Sequence, residues 1–176
     1  MVKENLPRLR AGRLASPPRV VLVAPEIPQN TGNIGRTTAA LQCPLHLVEP
    51  LGFRTDEKAV RRAGLDYWPL VEMHRHPDFR DFRRAHPGAR VLLFSAVGHR
   101  SVFDADFRAG DALVFGCESV GLPPSLLDGH RETTFALPTV GEVRSLNLAN
   151  AVAVVLFEAY RQLGAFSPAR LRHERP

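Results

Sequence analysis

Three short stretches concentrate polar side chains among glycines and prolines. The first is PEIPQNTGNIGR (Pro25–Arg36), which carries Asn30, Asn33 and Arg36. The second is GCESVGLPP (Gly116–Pro124), with Glu118 and Ser119. The third is PTVGEVRS (Pro138–Ser145), with Arg144 and Ser145, and it runs directly into Leu146 and Asn147. A fourth and weaker candidate is Ala96-Val97-Gly98. Arginine stays protonated and presents a planar fork that matches phosphate. Glycine lets a ligand approach the main chain closely. Such a set could build a phosphate cradle, a nucleotide fingerprint or another polar site.

The familiar versions of these sites fail on spacing. A P-loop needs G-x-x-x-x-G-K-[ST], which is absent. A dinucleotide fingerprint needs G-x-G-x-x-G after the first strand, and PEIPQNTGNIG does not supply it. Glu49 stands where a ribose-binding acid would sit, but without the glycine loop it is isolated. Cys117 has no histidine tied to it by a local signature and reads as a small buried thiol; Ser119 lacks the G-x-S-x-G elbow. His74, His76, His86 and His99 look scattered, with neither H-E-x-x-H nor a Cys/His cluster, so no metal site is expected. Cys43 and Cys117 are too few for a disulfide framework, which points to a reducing cytoplasm.

The elements that must position these loops alternate along the chain. VVLVA (20–24) reads as a buried strand, NIGRTTAALQ (33–42) as a helix and LHLVE (45–49) as a strand. DEKAVRRAG (56–64) reads as a helix, followed by a short strand near 69–73 and a helix from Pro77-Asp78 to Ala85. RVLLFSA (90–96), DALVFG (111–116) and TTFALP (133–138) are strands, and Ser145 to Leu163 is a long helix. The pattern predicts an α/β domain with a mostly parallel sheet and helices on both faces. Ligands of such sheets sit outside the carboxyl ends of the strands, where the polar loops fall. Ser145 is the expected N-cap of the last helix and Gly164 its stop. That helix is apolar beyond one stripe, so it is buried within the monomer or shared with a second subunit.

The domain spans residues 19–164. Residues 1–18, with Lys3, Arg8, Arg10 and Arg13, read as a mobile basic tail, and 165–176 as a polar C-terminal tail. The formal net charge of +5 favours a polyanionic partner, and only Lys3 and Lys58 are lysine. No apolar run reaches the length of a membrane span, and no signal-peptide core opens the chain, so no membrane partner is expected.

PEIPQNTGNIGR, RRAGLDYW (61–68), FGCESVGLP (115–123) and RSLNLANAVAVVLFEAYRQLG (144–164), in this order, closely resemble the SPOUT (α/β-knot) RNA methyltransferases. More narrowly they resemble the small single-domain tRNA (cytidine/uridine) 2′-O-ribose methyltransferases of the anticodon wobble nucleotide. The resemblance runs from about Arg19 to Gly164. It implies an S-adenosylmethionine-dependent homodimer with a deep C-terminal trefoil knot, acting on the anticodon stem-loop of tRNA, expected to be a leucine tRNA. By the same resemblance Phe94, Gly116, Leu137 and Ser145 hold the cofactor, with Glu118, Gly121 and Leu146 close by; Phe94, Leu122 and Leu137 would be apolar walls. Arg36 would activate the 2′-OH and bind phosphate, with Ser145 as a second catalytic position. Asn30, Asn33, Arg144 and Asn147 would face RNA, Asn33 also capping the helix that carries Arg36. Methylation of another tRNA position or of rRNA, and a non-catalytic RNA-binding knot protein, remain as alternatives.

Overall fold

Strand β2 (Arg19–Val23) shows why the sheet is covered on both faces. Its side chains alternate: Val20 and Leu22 join one apolar cluster, Val21 and Val23 another, and all four are buried. The computed structural model of the protein describes residues 8–53 and 67–174. In it β2 pairs in parallel with β3 (Leu45–Val48), and β3 with β4 (Met73–His76). On its other side β2 pairs with β7 (Ala112–Phe115), and β7 with β5 (Val91–Phe94). Beyond these lie β8 (Thr134–Ala136) and β6 (Arg100–Ser101), giving the order β4-β3-β2-β7-β5-β8-β6. The parallel sheet expected from the alternation is present.

The helices follow from the apolar period and the caps. Helix α1 (Pro28–Leu41) and helix α4 (Leu148–Gln162) pack on the face of Val20 and Leu22. Val152, Val155, Leu156 and Ala159 of α4 are fully buried. On the other face Phe82 of α2 (Phe79–Ala85) is fully buried against Val21 and Val48. Burying such a side chain contributes roughly 1.5–3 kcal/mol. A short helix α3 (Pro124–Leu127) follows the Glu118 loop. Among the described residues, no helix is long and apolar enough to cross a membrane.

Several boundaries differ from the sequence expectation. Helix α1 begins at Pro28, five residues before Asn33, because proline at the first helical position has the right φ and no N–H to lose. Asn33 is therefore mid-helix and exposed, not a cap. Helix α4 begins at Leu148, and its N-cap is Asn147 instead of Ser145. Gly164, at φ 72°, does stop it. The strand expected near 69–73 is β4, shifted behind a 3-10 turn at Trp68–Leu70. The helix expected at 56–64 lies outside the described residues. The terminal stretches without a visible period meet each other: β1 (Arg8–Arg10) pairs antiparallel with β9 (Arg172–Glu174).

Candidate active site

The first residues of α1 have no side-chain cap of their own, since the N-cap is Ile27. The second polar loop supplies it. Glu118 accepts hydrogen bonds from the Glu26 N–H (2.8 Å), the Ile27 N–H (3.3 Å) and Asn30 Nδ2 (2.8 Å). A carboxylate is favoured there because a helix N-terminus carries unsatisfied N–H groups and partial positive charge. Glu26 returns the contact, accepting from the Ser119 N–H (3.0 Å) and Ser119 Oγ (2.7 Å).

Asn30 carries the lattice to the last helix. Its Oδ1 accepts from Asn147 Nδ2 at 2.9 Å, while Asn147 Oδ1 accepts from the N–H groups of Ala149 (2.9 Å) and Asn150 (3.4 Å). Glu118, Asn30 and Asn147 thus join two helix N-termini to the loop after β7. Arg144 reaches the Ser119 carbonyl at 3.5 Å, drawing the third loop to the second. Ser145 and Leu146 are exposed beside it.

The loop after β7 folds tightly on itself. Cys117 and Gly121 exchange backbone hydrogen bonds. A side chain at Gly116 would put its Cβ 2.0 Å from the Gly121 carbonyl carbon, so only glycine fits. Gly98 is equally enclosed, with Phe135 main chain 2.5 Å from where a Cβ would be. Around these glycines the loops expose apolar side chains: Val97, Val120, Val140, Val143 and Leu146. Phe94 and Leu122, expected as open walls, are instead 7% and 4% exposed and belong to the core. Phe94 stacks on Phe115 with centroids 5.0 Å apart, which leaves its main chain at the strand end facing the loops. Leu137 is half-buried against the core. Cys117 is half-buried, its thiol near the Gly121 carbonyl (3.6 Å).

Arg36 stands apart from this lattice. Gln29, Asn33, Arg36 and Ala40 form the exposed stripe of α1, whereas Asn30 faces inward. The Arg36 guanidinium lies over the Tyr67 ring, 4.5 Å from its centroid, and Tyr67 Oη donates to the Gly32 carbonyl at 2.7 Å. The structure therefore brings Asn30, Glu118, Arg144 and Asn147 together, sets Ser145 and Leu146 on the adjoining loop, and leaves Asn33 and Arg36 on another face. Sequence reasoning missed Glu26 and Tyr67. The reciprocal partner of Glu26 is far away in the chain, and Tyr67 is positioned by tertiary contact alone.

The histidines are not scattered. His46, His76 and His86 each bring a nitrogen within 4.8 Å of the other two, and His74 stacks on His46. They are the nitrogen donors that come nearest to a metal-ligand grouping among the described residues, but a hydrogen-bond relay already engages His46 and His76. His76 Nδ1 donates to Asp81 (3.0 Å) and His76 Nε2 meets His46 Nδ1 (3.0 Å). With His76 neutral, His46 Nδ1–H is the donor, and His46 Nε2 is left as a bare, buried nitrogen without a partner. Burial lowers the pKa of His46 to about 3, helped by the neighbouring His74, His86 and His76 and by Arg19.

The profile of the SpoU rRNA Methylase family matches residues 17–157. The chain belongs to the SpoU methylase family. It is 47% identical over 156 residues to the tRNA (cytidine(34)-2'-O)-methyltransferase of Acidovorax sp. (strain JS42), covering 85% of this chain and 94% of that one. A solved structure described by the 2-OH methylation of C/U34 on tRNA superposes with a TM-score of 0.79 at 53% identity, over 85% of this chain and 97% of the other. The SpoU methyltransferase AviRb of Streptomyces viridochromogenes, solved with the cofactor AdoMet, superposes with a TM-score of 0.69 at 29% identity, over 89% of this chain and 60% of that one. The three glycine-bearing loops lie at the carboxyl ends of β5, β7 and β8, the side of an open parallel sheet where ligands generally sit.

Proposed function

We propose that this SpoU family protein transfers a methyl group from S-adenosylmethionine to the 2′-OH of the tRNA wobble nucleotide, cytidine or uridine 34. The observation that carries the reading is sustained identity, over most of both chains, to relatives named for that reaction. In this reading the chain works as a cytoplasmic homodimer whose last strand and helix are threaded into a knot. The insertion of β8 between β5 and β6 supports that threading.

The loops fit the cofactor. Exposed valines and Leu146 offer apolar walls for an adenine, while the enclosed glycines at 98 and 116 offer bare main chain for hydrogen bonds. Gly121, Leu137, Ser145 and the Phe94 main chain are the further positions assigned to the cofactor in this reading, and Glu118 holds the second loop in place. When bound, S-adenosylmethionine supplies an electrophilic methyl group. The protein's part is alignment and charge.

Arg36 is always protonated, so it acts by electrostatics and not as a general base. Its guanidinium holds the phosphate beside nucleotide 34 and stabilises negative charge developing on the 2′ oxygen. The Tyr67 ring beneath it fixes its direction. Because Arg36 lies on a different face of α1 from the lattice, it meets the cofactor loops of the second subunit, with Ser145 completing the reacting pair from that side. Asn33, one turn before Arg36 on the same exposed stripe, and Arg144 extend the RNA-facing surface.

The test is to incubate the purified protein with unmodified tRNA and labelled S-adenosylmethionine, and to map the methylated ribose by nuclease digestion and mass spectrometry. A single 2′-O-methyl group at position 34 is expected. The family description names rRNA and supports one second reading, methylation of a ribosomal RNA ribose. Label in rRNA and none in tRNA would replace the first reading with the second.

A further inference from the structure

Many arginines elsewhere in the described structure are engaged. Arg90 binds Asp111, Arg108 binds Asp106, Arg161 binds Glu158 and Arg75 binds Glu49. Arg19, Arg83 and Arg100 donate to main-chain carbonyls. The paired termini break this pattern. Arg10 of β1 stands directly opposite Arg172 of β9 in the ladder. Like charges directly opposed across a strand pair are destabilising. Arg13 and Arg170 flank them, and all four line a groove of about 330 Å³ whose acidic lining residue is Glu174. None of the four has an ion-pair or hydrogen-bond partner among the described side chains. The stem of Arg170 lies against the Gly12 main chain, so the groove floor is made by both ends of the chain.

We propose that this two-terminus groove docks the phosphate backbone of RNA, at a place separate from the methyl-transfer site. Four arginine charges held on and beside a two-stranded ribbon, with one acid among them, suit a run of phosphodiesters better than a single small anion. Opposed residues on a ladder are about 4.5–5.5 Å apart, so Arg10 and Arg172 address neighbouring phosphates. One side of the groove is lined by Ala169, Arg170, Arg172 and Glu174, which follow α4 in the chain, whereas Asn147 caps the helix's N-terminal end. A tRNA is long enough to occupy both. The proposal rests on the reading of this chain as a tRNA methyltransferase. It adds that substrate is gripped by residues outside the methyl-transfer site.

The experiment measures tRNA binding by the full-length protein across a salt series, together with steady-state methylation. For the double variant Arg10→Ala/Arg172→Ala, the salt slope of log K should fall by about 1.5–2, the value for two lost phosphate contacts. KM for tRNA should rise about tenfold at moderate salt, with kcat and S-adenosylmethionine affinity unchanged. Arg10→Lys/Arg172→Lys should retain most of the slope. An unaltered slope in the alanine variant overturns the proposal. So does equal loss in the lysine variant, which would mean that the arginines serve the strand pairing instead. Competition by inorganic phosphate at constant ionic strength should be negligible; displacement of tRNA at low millimolar phosphate would assign the groove to a small anion and overturn it. If the wild type binds tRNA but methylates no tRNA, the reaction assigned above fails while the binding slopes still judge the groove.

Discussion

Two three-membered polar relays hold this molecule, and they differ in where they end. Glu118–Asn30–Asn147 is built from residues about ninety to 120 positions apart and ends on helix N-termini, with both Asn30 and Asn147 bonded through their side-chain oxygen and nitrogen. Asp81–His76–His46 is local to one sheet edge and ends in a buried nitrogen with no partner. The first is half open to solvent and fixes the relative positions of loops. The second is sealed by Phe82 and neighbouring rings, and what it fixes is a protonation state. The relay that joins loops satisfies its groups; the one that packs an edge tolerates an orphan at a cost of roughly 1–3 kcal/mol.

The largest expected effect comes from a residue outside both relays. Arg36→Ala should lower methyl transfer by about 10²–10³ while calorimetry shows S-adenosylmethionine binding intact. Full activity would remove Arg36 from the reaction and leave the Glu118 relay as the only functional cluster. The histidine relay should reveal itself next, in acid. His46 has a folded pKa of about 3 against 6.5 unfolded. The unfolded chain therefore takes up the proton first. Stability is full above pH 6.5 and falls as pH drops toward 3, by about 3 kcal/mol at pH 4 as an upper figure. Denaturant melts at several pH values should show a shallower loss in His46→Gln; an unchanged slope would mean that acid sensitivity arises elsewhere.

Glu118→Ala tests the open relay directly. It strips an acceptor from three donors, and should cost about 2 kcal/mol in denaturant unfolding with weaker cofactor binding. Glu118→Gln should keep part of the stability, because one amide oxygen can still accept. Asn147→Ala is the mildest change. Loss of the α4 cap should cost about 1 kcal/mol, and a loss of activity larger than that of stability would show that Asn147 also touches RNA.

The parallel sheet was legible because β2, β5 and β7 are continuous apolar runs, and α4 because its apolar residues exceed one stripe. The start of α1 was not, since PEIPQN looks like loop until one sees that Pro28 suits a first helical turn and that Glu118 supplies the missing cap. Ser145 passed for a cap because serine is a good one; Asn147, two residues on, wins by also binding Asn30. Members of the open lattice could be named from the motif they match, yet their mutual bonds could not, as nothing local ties residue 30 to 118 or 147. The histidines defeated spacing analysis for the same reason. His46 sits on β3, and only strand pairing brings it to His76.

The pairing of β1 with β9 has a consequence in time. Its first strand precedes the whole seven-stranded sheet in the chain, and its second follows it. The arginine groove therefore does not exist on a nascent chain, however much of the sheet has already formed. A basic surface built this way assembles only once both strands have been made, where a contiguous basic segment would carry its charge as soon as it was synthesised.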